Sequence, residues 1–223
     1  MRINKFLAER TELSRRGADA AITQNRVRIN GELPVAGQQV LQGDTVELDG
    51  TTISEKPQTV TILLHKPVDF VCSRDGQGSK TIYELLPPEL QSLNPVGRLD
   101  KDSSGALLMT NDGALLNQLS HPKFQKEKVY HIALHKQLED ADKFKITDEG
   151  VDIGDARLSK FPVKRIPSKK HKSAYEVRLF EGRNRQIRRT FRALGYFVNH
   201  LHRTEFAGHT VGSLEIGKYK IIS

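Results

Sequence analysis

The sequence predicts an α+β fold, and three observations carry that expectation. Two hairpin dipeptides, Asn30-Gly31 and Asp49-Gly50, each follow a short β-alternating run. Beyond them, helix-like and strand-like segments alternate irregularly, which argues against a doubly wound parallel sheet. The 223 residues correspond to about one and a half typical domains. The periodicity fades once, over Thr51 to Gln58, where Ser, Glu, Lys and Pro gather as in a linker.

In chain order, Lys5 to Arg10 fit a short helix with Phe6 and Leu7 inward. Ser14 stands where an N-cap belongs, ahead of the helical run Arg15 to Ile22, and Asn25 can close that helix. Val27 and Ile29 alternate with Arg26 and Arg28 as in a half-buried strand, and Thr45 to Leu48 form a second one. Past the linker the apolar run Val60 to Leu64 restarts the pattern. Further strands fit Lys126–Leu134, Tyr175–Leu179 and Phe197–Leu201. Helices fit Ala114–Leu119, Glu139–Phe144 and Arg185–Leu194, the last closed by Gly195. The domains read as 1–50, a linker at 51–58, and 59–223.

Composition narrows the function. No stretch approaches the ~20 apolar residues of a membrane span, and the opening MRINKFLAER lacks the apolar core of a secretory signal. A lone cysteine, Cys72, excludes an internal disulfide framework and a Cys-rich zinc site. These features predict a cytoplasmic protein with no membrane partner. The net charge of +8 is unevenly placed. Residues 1–30 hold seven basic side chains against three acidic, and residues 160–203 hold thirteen against two. Two basic zones on an otherwise acidic chain point to a polyanion such as nucleic acid, although solvated basic faces give the same count.

Several motif-like segments lack their required context. Gly76 to Thr81 has the flavour of a phosphate loop without its spacing. His131 and His135, and likewise His200 and His202, fall in strand-like runs with no Glu or Cys to complete a metal set. No dinucleotide fingerprint follows a predicted strand. The expectation is therefore no cofactor and no metal. Two segments remain. In Asn94 to Gly113 a turn-rich loop displays Asp100 between apolar strands, which suits either a catalytic carboxylate or an ordinary Asp-Ser-Gly turn. In Glu181 to Arg189 guanidinium groups crowd a strand-to-helix junction, which suits either a phosphate site or a solvated helix.

Taken together, these segments resemble one family. GRLDKDSSGALLMTNDG is similar to the catalytic loop of the RsuA-type bacterial ribosomal RNA pseudouridine synthases. EGRNRQIRRTF resembles that family's Arg-rich motif, Lys128-Val129-Tyr130 its Lys-x-Tyr element, and LLHKPVDFVCS the opening strand of its catalytic domain. RINKFLAER, SRRGADAAI and NRVRINGE resemble, in order, the RNA-binding module named for ribosomal protein S-four. Three positions depart from the pattern: Ala106 where a larger apolar residue is usual, Asp69 in place of a glycine, and Thr190 in place of a methionine.

The resemblance implies a small RNA-binding domain followed by a catalytic domain with a mixed, mainly antiparallel sheet flanked by helices. It implies isomerisation of uridine to pseudouridine in ribosomal RNA or a ribosomal subunit precursor, by a monomer without cofactor. Asp100 is the implied nucleophile, acting on the anomeric carbon, on ring carbon six, or as a base on the ribose. Arg188 is expected to pair with Asp100, Tyr130 to stack on the uracil and Leu201 to floor the base, with Arg98 also on the substrate. Arg2, Lys5, Arg15, Arg16, Arg26, Arg183, Arg185 and Arg189 are the expected phosphate contacts. A non-catalytic RNA-binding assembly factor is the alternative. An RNA methyltransferase fails for want of a glycine-rich donor loop.

Overall fold

The computed structural model describes residues 1–35, 37–53 and 58–223. They divide into two compact units, Met1–Thr59 with Asn111–Gly113, and Val60–Thr110 with Ala114–Ser223.

The first unit opens with helices α1 (Ile3–Arg10) and α2 (Arg15–Thr23). Ser14 caps α2 as its spacing predicts, its hydroxyl accepting the Gly17 N–H at 3.0 Å. Asn25 follows with φ +58, a left-handed conformation that asparagine tolerates. Strand β1 (Val27–Ile29) buries Val27 and Ile29 and exposes Arg28. At Asn30-Gly31 both residues take positive φ, and Ile29 and Glu32 exchange backbone hydrogen bonds of 2.8 and 3.0 Å. Strand β2 (Val46–Leu48) pairs antiparallel with β1. Thr51 and Thr52, read from sequence as linker, form strand β3 against β2 instead. The Asp49-Gly50 turn folds them back, since both turn residues again adopt positive φ. Most of the remaining expected linker, 54–57, lies outside the described residues. Ile3, Leu7, Ala18, Ala21, Val27 and Val46 make the unit's own core.

The second unit is built on a sheet of β4 (Thr61–Lys66), β7 (Asn94–Pro95), β8 (Ser104–Thr110), β9 (Lys128–Leu134), β10 (Val163–Arg165), β11 (Ala174–Leu179), β12 (Val198–Phe206), β13 (His209–Thr210) and β14 (Tyr219–Ile221). Short strands β5 (Phe70–Val71) and β6 (Lys80–Thr81) pair apart from it. The main order is β10-β11-β9-β12-β8-β4-β14. Within this sheet, among the described residues, only the β12–β8 pairing is parallel and the rest are antiparallel, as the resemblance implies. Helices α3 (Gly113–Ser120), α4 (Asp140–Phe144) and α5 (Gln186–Ala193) complete the fold.

Strand β8 is buried along its whole length because both faces are covered. Leu107 and Met109 enter the larger core with Ile187 and Phe191 of α5, and Ala106 and Leu108 enter a second cluster with Leu63 and Phe206. Gly195 ends α5 as expected: at φ +78 it donates to Arg192, and Tyr196 donates to Phe191. Strand β12 outruns its expected end at Leu201 by five residues, through Phe206. It is held there by β9 on one side and β8 on the other. Among the described residues no helix is long and apolar enough to cross a membrane.

Candidate active site

The Asp100 loop leaves β7 and enters β8, and buried hydrogen bonds fix its shape. Ser103 donates its backbone N–H to the Asp100 carbonyl at 3.1 Å, closing a tight turn. Beneath the turn lies Lys66, the last residue of β4, with no exposed surface. Its ammonium donates to the carbonyls of Pro67, Asp100 and Ser103 at 2.9, 3.1 and 2.8 Å. Burial pushes the Lys66 pKa below the usual lysine value, against the pull of Cys72 and Asp100. Cys72 braces the loop from behind, its thiol donating to the Leu99 carbonyl at 3.3 Å. On the far side Gly105 has φ +114, and a Cβ there would come within 2.1 Å of the Arg203 carbonyl. Only glycine lets β12 run so close beside β8. Asp69, where the family favours glycine, sits at φ +68 and donates its N–H to the Lys101 carbonyl at 2.7 Å.

Helix α5 delivers the arginines. Arg185, at its N-cap, is itself left-handed at φ +46, a strained conformation of the kind that gathers at functional sites. Its guanidinium forks onto Asp102 at 3.1 and 2.8 Å and approaches Asp100 at 3.4 Å. Arg188 places Nε 3.2 Å from the Asp102 carboxylate and donates to the carbonyls of Asp102 and Val198 at 2.7 and 2.6 Å. The expected Arg188–Asp100 pair is thus corrected: Arg188 grips Asp102, and the cation beside Asp100 is Arg185. The 100–103 turn explains this, because it presents Asp102 toward α5 and leaves the Asp100 carboxylate partly open to the cleft. Burial pushes the Asp102 carboxyl up, but the Arg185 hydrogen bonds and the charges of both arginines outweigh it and hold the pKa below the usual value.

A cleft of about 360 Å³ opens in front of Asp100. Tyr130 and Leu201, each 7% exposed, sit on neighbouring strands along it, with Ile187 of α5 nearby. Arg98 lines the same cleft and is exposed. Asp100, Tyr130, Arg188, Leu201, Arg98 and Arg185 are therefore brought together. Arg203, opposite Tyr130 on β12, and Lys128 line the cleft as well. The buried Tyr130 and Leu201 side chains, with the Asp100 carboxylate beside them, can hold a flat ring against a nucleophile.

Other expected contacts are placed differently. Arg183 also borders the cleft, but its guanidinium bonds Glu181 and the carbonyls of Arg157 and Leu158. Arg189 is tied to Asp155 at 2.8 Å and to the Ile153 carbonyl, away from the cleft. These two hold the 153–158 loop against α5 instead of presenting free cations. In the first unit Arg2, Arg15 and Arg16 are exposed, and Lys5 lies 3.6 Å from Glu9. Arg26 forks onto Asp49 at 2.8 and 2.6 Å, which offsets its charge locally. Sequence reasoning missed Lys66, Asp102 and Arg203. A lysine ending a buried apolar strand was the one available signal for Lys66. Asp102 stood in plain view two residues from Asp100.

Comparison with known proteins identifies the family. Residues 60–193 match the family model described as RNA pseudouridylate synthase. The chain is 33% identical over 220 residues to the Bacillus subtilis (strain 168) "Ribosomal large subunit pseudouridine synthase B", covering 97% of this chain and 89% of that one. It is 32% identical over 225 residues to the Escherichia coli (strain K12) "Dual-specificity RNA pseudouridine synthase RluF", covering 99% and 74%. A solved "pseudouridylate synthase" crystal structure superposes with a TM-score of 0.72 at 30% identity, over 100% of this chain and 96% of that one. By this match over most of its length, the chain belongs to the RNA pseudouridylate synthase family.

Proposed function

We propose that the protein isomerises uridine to pseudouridine at a defined site in ribosomal RNA. The observation that carries this reading is the Asp100 carboxylate, held on a braced loop and facing a slot walled by Tyr130 and Leu201. The C1′–N1 bond breaks, the uracil turns within the slot, C5 bonds to C1′, the C5 hydrogen leaves as a proton and N1 takes one up, so the product is an isomer of the substrate. Electrons balance without an oxidant or reductant. Asp100 acts as the nucleophile at C1′ or at ring carbon six, or as a base on the ribose. Tyr130 stacks on the flipped base, since chemistry on a paired base requires its extrusion. Arg185 and Arg188 hold the loop so that the Asp100 oxygens stay aimed into the cleft.

Residues 1–50 act as an S-four-type RNA-binding domain. Its exposed Arg2, Lys5, Arg15 and Arg16 contact phosphates, which position the RNA without reading its sequence; Arg26, occupied by Asp49, contributes less. The protein works as a cytoplasmic monomer on ribosomal RNA or a subunit precursor, in line with the ribosomal relatives named above. A purely RNA-binding assembly factor has no use for a carboxylate aimed into that slot. The test is pseudouridine mapping of ribosomal RNA from a strain lacking this chain. One or a few positions should revert to uridine and be restored by the wild-type gene. An unchanged map contradicts the proposal.

A further inference from the structure

Arg203 is an anomaly in this cleft. It is 2% exposed, yet among the described residues no carboxylate lies within ion-pair distance of it. Its Nε donates to the Ala106 carbonyl at 2.7 Å, and its guanidinium carbon lies 4.8 Å from the Phe206 ring centroid. Its Nη2 is buried with no hydrogen-bond partner. Buried charges are paired as a rule, because an unpaired one forfeits its hydration.

A second cation shares the place. Lys128 stands opposite Phe206 in the β9–β12 pairing, its ammonium 5.5 Å from the same ring. Among the described residues its ammonium donates to one acceptor, the Lys126 carbonyl at 3.2 Å. Burial, and then the charge of Arg203, depress the Lys128 pKa to about 8, with Glu181 the acid working the other way. Two like charges against one ring, with a free buried donor between strands, make a site short of one anion. Arg203 lies directly across from Tyr130, on the face where the base is proposed to stack.

We propose that Arg203, supported by Lys128, contacts the substrate as a hydrogen-bond donor to the carbonyl oxygens of the target uracil, stabilising the negative charge they carry during the reaction. This rests on the isomerisation reading above, and it holds for each route open to Asp100. If C1′–N1 breaks first, the bonding pair stays on the ring and spreads from N1 to its carbonyl oxygens. If Asp100 adds to ring carbon six, the electrons of the ring double bond move to the C4 oxygen. A preorganised cation in a dry cleft stabilises such charge most where it develops.

The test uses the full chain with Arg203→Met, Arg203→Lys and Lys128→Met. Each is assayed in single turnover on a ribosomal RNA fragment that wild type converts, with binding and thermal unfolding measured in parallel. Arg203→Met should keep RNA affinity within about twofold and lose roughly 10²–10³ in rate, the range for removing one oxyanion donor. Arg203→Lys should recover part of it and Lys128→Met should lose less. The decisive readout is the same RNA carrying 5-fluorouridine at the target, followed by consumption of the substrate nucleotide. Fluorine withdraws electrons and stabilises the ring anion by itself, so the variants' deficits should shrink several-fold. Equal deficits on both substrates, or a loss confined to affinity, overturn the proposal. If Arg203→Met does not fold, the substrate-dependent deficit must appear in Arg203→Lys and Lys128→Met, and its absence there overturns it too. Wild type that makes no pseudouridine on any ribosomal RNA fragment would instead remove the functional reading itself.

Discussion

Arg185 and Arg188, on the α5 side of the cleft, close around Asp102 at distances of 2.8 to 3.2 Å, whereas Arg203 and Lys128, on the sheet side, meet no carboxylate among the described residues. The same kind of charge thus does different work on the two sides. The α5 arginines are ion-paired by the protein, although Arg188 Nε, 3.2 Å from the Asp102 carboxylate, makes no hydrogen bond, and they fix the 100–103 turn through both the carboxylate and the carbonyl of Asp102. The sheet-side cations are left for something that arrives. A substitution on the first side should therefore disturb the aim of Asp100, and one on the second should disturb the response to substrate charge.

The largest effect that sharpens this contrast is expected at Arg188. Arg188→Ala frees the Asp102 and Val198 carbonyls and loosens the turn. A misplacement of about 1 Å at a reacting group costs about 10²-fold, so single-turnover rates should fall by roughly that factor while filter-binding affinity changes little. Arg188→Lys should recover only part, since it restores the charge without the planar fork. A variant that mainly loses RNA affinity would move Arg188 from the positioning side to the substrate side.

Tyr130 comes next. Base–aromatic stacking is worth about 1–3 kcal/mol, so Tyr130→Ala should slow turnover by roughly 5- to 150-fold, and Tyr130→Phe should stay near wild type. Equal, severe loss in both variants would assign the hydroxyl a chemical role.

The smallest effect is expected at Asp102. Its folded pKa lies below the unfolded value. Its ion pairs therefore stabilise the fold above pH about 4, near the ordinary carboxylate value, and that contribution is lost as pH falls through the folded pKa. Its carboxylate is 46% exposed, so solvent screening keeps the contribution small. Asp102→Asn should flatten the acid limb of the stability profile, measured by thermal unfolding between pH 3 and 6, and slow turnover less than Arg188→Ala does. A steeper acid limb in the variant would contradict the pairing.

What could be read from the sequence was what short-range chemistry decides. Ser14 caps its helix, Asn30-Gly31 and Asp49-Gly50 turn, and Gly195 closes α5, because each needs only its neighbours' backbone. The residues meeting at the cleft were legible through the motifs that resemble the family. Their mutual contacts were not. Asp100 and Asp102 are two residues apart in one turn, and which of them meets Arg188 depends on how that turn lies against a helix more than eighty residues away. The far half of β12 was not foreseen because the expected strand stopped at Leu201, and Arg203, Thr204 and Glu205 carry no apolar alternation to extend it. They form a strand because partners on both sides take up their backbone groups. Thr51 and Thr52 were assigned to the linker on composition, although the preceding turn already demanded a returning strand.

The measurement that bears most directly on the whole account is release of tritium from ribosomal RNA labelled at uridine C5, comparing wild type with Asp100→Asn at saturating protein. Asparagine keeps the side-chain shape and removes the ionisable, nucleophilic oxygen. Wild type should release the C5 label stoichiometrically and the variant at less than about a tenth of that rate, roughly the least loss expected of a missing nucleophile, with RNA affinity nearly intact. Turnover by Asp100→Asn above that level, or release without formation of pseudouridine, would contradict the account.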